Sequence, residues 1–206
     1  MRVQLQPCYL LHRRPFRDNS ELLDVLSVEH GRLGLVARGL SRRRRGGPLN
    51  AVLQPFRPLL LSFSGKGELL TLTGAESGGV LPALHGEALL SAFYLSELLL
   101  RLLQRFEAQP AIFTAYGAAI ADLSDVAGAG SSRSALEPAL RRFELRLLEE
   151  LGYAVDLSTD ASRGTEIRAD AYYALVPEFG FREVVAPAQS AHTSFTGAQI
   201  RAIAQG

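Results

Sequence analysis

Residues 31–47 read GRLGLVARGLSRRRRGG. Arg32, Leu33, Leu35, Val36 and Arg38 have the apolar and branched content of a short strand. Arg42, Arg43, Arg44 and Arg45 then stand between Gly39 and the Gly46-Gly47 pair. Four adjacent guanidiniums cannot be buried unpaired, so the run is a solvated loop or strand extension held out from the body. Taken alone it reads either as a solubilising surface feature or as a contact for a polyanion.

Working outward, residues 3–13 alternate loosely and end in Arg13-Arg14-Pro15, a strand leaving its sheet at a basic corner. After the polar turn Asp18-Asn19-Ser20, residues 22–28 read as a second strand, and His30-Gly31 as the hairpin into the third. Downstream, Pro55-Phe56-Arg57-Pro58 leads into a fourth strand over 59–63, Gly65-Lys66-Gly67 is a tight turn, and 68–73 is a fifth. Short strands joined by Gly and Pro turns, with one longer basic connection, fit a small closed barrel of the oligonucleotide-binding (OB) type; an SH3-class barrel leaves much the same trace.

Residues 75–82 (AESGGVLP) end the strand pattern. Residues 87–106 are apolar on most faces, which predicts a helix central to its domain. A second helix is expected over 110–123, ending before a linker at 127–132. Ser134 to Glu137 has capping-box spacing, Pro138 suits a first turn, and Gly152 sits at a C-terminal stop. Beyond Tyr153 the chain is turn-rich, with short apolar runs at 172–176 and 179–185 and a last helix after Ser194-Phe195-Thr196-Gly197. The expected class is α+β with two domains: an OB barrel over 1–80 and a helical domain over 81–206, irregular at about 154–193.

The net charge of +1 hides a split, with +6 over residues 1–82 and −5 over the remainder. Lys66 is the only lysine, so nearly all the positive charge is arginine, whose fork matches phosphate oxygens in pairs, although a GC-rich coding bias gives the same skew. Cys8 is the only cysteine, which excludes an internal disulfide or a cysteine-rich zinc site and fits a reducing, cytoplasmic setting. The N-terminus has no long apolar signal segment, and the apolar run 88–100 is interrupted by Glu97 and too short to cross a bilayer.

No catalytic constellation is visible. His12, His30, His85 and His192 are scattered without metal-ligand spacing. Gly65-Lys66-Gly67 lacks the Ser or Thr and the following helix of a phosphate loop. Asp122 and Asp125 near a helix end are the one pair a divalent ion can be imagined on, which keeps a nuclease as a distant reading. No metal and no cofactor are expected.

Read together, Tyr9 to Phe16 (YLLHRRPF), Gly31-Arg32 with Leu35 to Gly39, Leu53 to Phe56 with Leu59 to Leu61, Phe93 to Leu99 (FYLSELL), Leu140 to Leu145 (LRRFEL) and Leu151-Gly152-Tyr153 closely resemble the RecO family of bacterial recombination mediators, in order from about residue 5 to 203. The resemblance implies an OB barrel followed by a helical domain. It also implies binding of single- and double-stranded DNA, annealing of complementary strands, engagement of the acidic tail of the single-stranded DNA-binding protein, and assistance with RecR in loading RecA. Many family members carry four zinc-binding cysteines in the region matching about 157–185, and members commonly continue past the equivalent of Gly206 with basic helical sequence. This chain has no cysteine there.

The expected DNA contacts are Arg32, Arg38 and Arg42 to Arg45, helped by Arg13, Arg14 and Lys66, with Tyr9, Phe16 and Phe56 as base platforms or core residues. For the acidic tail, Arg141 and Arg142 beside Phe143 and Leu147 are expected to supply cations next to an apolar pocket, unless Arg141 pairs with Glu137 or Glu144 on its own helix. The rival is a protein-interaction scaffold that does not bind DNA.

Overall fold

The computed structural model describes residues 1–17, 20–38, 43–44, 47–129, 133–185 and 194–205. The chain runs through β1 (Arg2–Pro15), β2 (Ser20–Ser27), β3 (Gly31–Arg38), the two-residue strands β4 (Arg43–Arg44) and β5 (Gly47–Pro48), the single-turn helix α1 (Leu49–Val52), β6 (Pro58–Ser64) and β7 (Leu69–Ser77). Five of these strands close into a barrel in the order β1-β2-β3-β7-β6. Every pairing in it is antiparallel except one, the parallel seam Gly34–Leu69, Leu35–Leu70, Val36–Thr71 between β3 and β7. A parallel closure between the third and last barrel strands belongs to the OB arrangement and removes the SH3 alternative. β1 serves both neighbours, pairing with β2 and β6, and turns through a register shift on each side.

Period-two alternation fills the barrel. Leu10, Leu23, Val25, Leu33, Leu35, Leu61 and Phe63 are all fully buried and form one cluster with Cys8, Leu59 and Leu70. Truncating any one of these leucines to alanine costs about 2–5 kcal/mol, because close-packed neighbours relax only partly into the void.

The helices follow as α2 (Gly86–Leu102), α3 (Pro110–Gly128) and α4 (Glu137–Glu150). α2 stops four residues short of Phe106 although no Gly or Pro halts it. Leu103 takes an extended conformation and is 4% exposed. The next residues are drawn into strand-like contact with β3, where the Phe106 N–H donates to the Arg32 carbonyl at 3.1 Å. Tertiary contact here outweighs helix propensity.

α2 is also less central than its composition suggests. It buries a narrow stripe of Ala88, Ala92, Leu95, Ser96 and Leu99, while Leu90, Phe93 and Tyr94 remain 68%, 46% and 43% exposed. Small residues on that stripe let α3 approach, and the Ser96 hydroxyl and the buried Tyr116 hydroxyl meet at 2.8 Å between them. α3 continues to Gly128, past the expected end at 123.

α4 starts at Glu137 rather than at the capping-box serine, after a 3-10 turn over Arg133–Ala135. Its stop is as read from the sequence. Gly152 has φ +83° and, with Tyr153, donates its N–H to the Glu149 and Leu148 carbonyls.

Compactness divides the chain within α4, into Met1–Phe143 and Glu144–Gly206, whereas strands give way to helices at residues 78–85. α2 and α3 belong with the barrel because they pack on its outer surface: Tyr9 of β1 meets Phe113 and Tyr116 of α3 at 5.0 and 5.1 Å.

The second unit contains a three-stranded sheet where an irregular segment was expected. It is built from β8 (Tyr172–Val176), β9 (Gly180–Val184) and β10 (Ser194–Thr196) in the order β10-β8-β9, followed by α5 (Gly197–Gln205). Ile167, Ala171, Tyr173, Phe181 and Ile200 form its core. The buried Asp160 carboxylate ties the turn 160–163 to the edge of β9. Among the described residues, no helix is long and apolar enough to cross a membrane.

Candidate nucleic-acid interface

The register brings three of the expected arginines to one end of the barrel. β1 delivers Arg13 and Arg14 opposite Leu23 and Leu22, and β3 ends with Arg38 opposite Ser20. Arg14 and Arg38 are exposed and have no hydrogen-bond or ion-pair partner among the described residues. The basic connection leaves from this same end. Arg43 and Arg44 pair through their backbones with Pro48 and Gly47, while Arg42 and Arg45 lie outside the described residues.

Arg13 is partly committed to structure. Its guanidinium donates to Asn50 Oδ1 at 3.3 Å and to the Leu53 carbonyl at 3.5 Å, with Glu21 at 3.9 Å. Arg57 donates to the Ala51 carbonyl at 3.2 Å and the Gln54 amide to the Asn50 carbonyl at 2.6 Å. These side chains satisfy the orphan carbonyls of α1, the short helix that receives the basic connection as it returns to the barrel. Arg57 and Asn50 are residues that sequence reasoning passed over.

Lys66 is elsewhere. It sits exposed on the β6–β7 turn beside Arg2 and the N-terminus, whose ammonium donates to the Gly65 carbonyl at 3.0 Å. From there to Arg14 is a strand length of roughly 40 Å at about 3.3 Å per residue.

Arg32 does not join the surface set. Its guanidinium donates to the Leu100 carbonyl at the end of α2, and Arg105 beside it pairs with Asp24 of β2 at 2.6 Å. Burial lowers the Arg32 pKa, Arg105 lowers it further, and Asp24 opposes both. Of the two guanidiniums, only Arg105 is bonded to the carboxylate, and Arg32 Nε and Arg105 Nη1 are buried without an acceptor.

Residues 103–107 therefore lie across the start of β3. A Cβ on Gly34 would stand 2.6 Å from Arg105 Nη1, and one on Gly31, at φ +65°, would collide with the Glu107 carbonyl. The outward-facing Leu22, Asp24 and Leu26 of β2 are 5%, 7% and 0% exposed. The β2–β3 face, which in OB barrels takes the oligonucleotide, is in this protein largely covered by its own chain. The exposed cations that remain on β1 and β3 are at the strand ends.

The aromatic candidates separate in the same way. Tyr9 lies within the α3 aromatic cluster, and burial raises its pKa. Phe56 is 4% exposed against Phe93 at 4.9 Å. Phe16 alone stays half-buried, at the basic end, with the Arg17 guanidinium 5.3 Å from its ring centre.

On α4, Phe143 and Leu147 are each 2% exposed, and Phe143 packs edge-on against Tyr116. They are core residues and offer no apolar pocket, as the buried stripe of an amphipathic helix must be. Arg142 is bonded to Asp122 at 2.8 Å. Arg141 lines a shallow groove of about 280 Å³ with Leu90, Ser91, Leu136, Leu140 and the acids Glu87 and Glu137. Among the described residues, no group of three or more His, Cys, Asp or Glu side chains is placed to hold a metal ion.

Two family models match the chain: "Recombination protein O N terminal" over residues 1–79 and "Recombination protein O C terminal" over residues 84–203. The chain is 45% identical over 180 residues to the DNA repair protein RecO of Nitrosococcus oceani, covering 87% of this chain and 70% of that one. It is 48% identical over 172 residues to its counterpart in Chromobacterium violaceum, covering 84% and 66%. With that of Photobacterium profundum it shares 39% identity over 200 residues, covering 97% and 80%. The chain thus spans about two thirds of the length of the first two relatives. Barrel, helices and matches agree over nearly the whole chain, which belongs to the RecO family of DNA repair proteins.

Proposed function

We propose that the chain is a DNA-binding recombination mediator that works by binding and has no reaction of its own. It binds single- and double-stranded DNA at the basic barrel end, through Arg14, Arg38 and Arg42 to Arg45 with help from Arg13, while Lys66 at the far end of β1 could meet only a strand that runs the length of the barrel, and it anneals complementary strands. Arg32, at the opposite end of β3 from Arg38, braces the barrel against the end of α2. The observation that supports the reading most is the convergence of Arg13, Arg14 and Arg38 at the end of the barrel from which the arginine run departs.

Annealing on such a surface needs no active-site chemistry. Guanidiniums that neutralise phosphates reduce the repulsion between two strands, and solvated contacts exchange quickly enough for bases to find their partners. The protein partners in this reading are the acidic tail of the single-stranded DNA-binding protein and RecR, with RecA loaded as the outcome, in the cytoplasm at the nucleoid. For the tail, Arg141 beside Leu140 and Leu90 replaces the pocket expected around Phe143 and Leu147.

The test is fluorescence anisotropy of a labelled oligonucleotide across a salt series. If about five cations contact single-stranded phosphates, the log-log slope is near −3.5, at roughly 0.7 per contact. Changing Arg42 to Arg45 to serine removes about two units or more of that slope. Absence of binding at low salt overturns the reading and favours the scaffold.

A further inference from the structure

Single-strand recognition by an OB barrel normally combines phosphate contacts with aromatic side chains on which bases stack. Here the usual stacking surface is withdrawn: the outward residues of β2 are covered, and Tyr9 and Phe56 are packed into the interior. Among the described residues, the basic end retains one aromatic ring outside the core. Phe16 follows directly on Arg13-Arg14-Pro15, and its N–H donates to the Ser20 carbonyl at 2.9 Å, which fixes it at the mouth of the β1–β2 connection. The next residue, Arg17, has φ +49°, a left-handed conformation unfavourable for a non-glycine residue. In that conformation its guanidinium stands 5.3 Å from the Phe16 ring centre. A flat, delocalised cation over a ring is the protein's own stand-in for a base.

We propose that Phe16 is the platform on which the protein stacks one unpaired base, the Arg17 guanidinium being the group that the base displaces, so that the barrel end favours single-stranded over duplex DNA. A duplex cannot satisfy this contact without unstacking a base pair, whereas the phosphate contacts of Arg14 and Arg38 are open to both forms. Once displaced, Arg17 is free to pair with the adjacent phosphate. The inference rests on the DNA-binding reading above and adds to it the origin of strand preference.

The experiment compares a single-stranded oligonucleotide carrying 2-aminopurine with a hairpin duplex of the same length, by anisotropy and by 2-aminopurine fluorescence. Stacking on Phe16 quenches the probe. Phe16→Leu, which keeps apolar volume and loses the π face, is expected to weaken single-strand binding roughly fivefold to a hundredfold, to abolish the quench, and to leave duplex binding and the salt slope unchanged. Arg17→Gly keeps the left-handed turn and is expected to retain the quench while lowering the slope by about 0.7. Phe16→Trp restores both quench and affinity. Equal weakening of single strand and duplex by Phe16→Leu, or a quench that survives it, overturns the platform while leaving DNA binding intact. A wild type that binds neither form overturns the DNA-binding reading and the platform with it.

Discussion

Replacing Asp160 with asparagine tests how this chain holds together a segment that carries no cysteine. The carboxylate is 1% exposed. One oxygen accepts the Ser162 hydroxyl and the N–H groups of Ser162 and Arg163, at 2.7 and 3.1 Å for the latter two; the other accepts the N–H of Glu183 on β9, at 2.8 Å. Burial alone would raise its pKa, but these donors outweigh burial and hold it at about 2, below the ordinary 3.8. At 1.36 kcal/mol per unit the difference is worth about 2 kcal/mol.

Because the folded value is depressed, this stability is fully present above the unfolded pKa, near pH 4, and is lost as the pH falls towards 2. Asparagine keeps one carbonyl and turns an NH₂ on the remaining donors, so Asp160→Asn forfeits a comparable amount at every pH above 4. The assay is amide hydrogen exchange over residues 181–184, measured at pH 6 and corrected for intrinsic rates. An expected loss of about 2 kcal/mol corresponds to exchange roughly thirtyfold faster. Asp156 also has a pKa lowered to about 2, chiefly by the Ser158 hydroxyl, but it is exposed and bonds only within its own turn. Asp156→Asn therefore serves as the control and leaves β9 protected. Exchange in Asp160→Asn within twofold of wild type would refute the claim that this carboxylate pins the strand.

Three further outcomes are expected. Arg105→Ala leaves Asp24 largely buried without its cation and lowers stability by about 2 kcal/mol, read as a fall of several degrees in thermal midpoint; adding Asp24→Asn recovers part of it. Replacing Arg141 and Arg142 with alanine weakens an acidic tail peptide in anisotropy while sparing DNA; equal loss of both activities means that the two sites are not separate. Cys8 is 1% exposed, and burial lifts its thiol to about 12 against a smaller downward pull from Ser27, so the folded protein resists alkylation at pH 8 and reacts only when unfolded.

The barrel was legible because alternation, Gly and Pro turns and the basic corner at Arg13-Arg14 are local signals. Its parallel seam was not, since three residue pairs between distant strands leave no local trace. Arg32 and Arg38 share one face of one strand, and nothing in their own segment distinguishes them. What separates them is residues 103–107 folding over the beginning of β3. Gly31 and Gly34 were the available hint, since glycine in or beside a strand often marks the close approach of another backbone. α2 ended early for the same tertiary reason. Phe143 and Leu147 stand in an apolar stripe along the sequence, and a stripe at helical spacing is first of all the side a helix buries. The turns at Asp156 and Asp160 are visible in the sequence, each aspartate being followed two residues later by serine, a spacing that favours side-chain-to-backbone turns.

The covering of β1 and β2 by α2, α3 and the segment between them bears on how this barrel is inherited and engineered. An oligonucleotide-binding barrel is often treated as a cassette to be cut out and fused to another protein. This one cannot be cut at residue 80, because the excision bares Tyr9 and Leu26 and leaves the carboxylate of Asp24 without Arg105. The smallest portable unit includes both helices and extends into α4, where the first compact unit ends at Phe143.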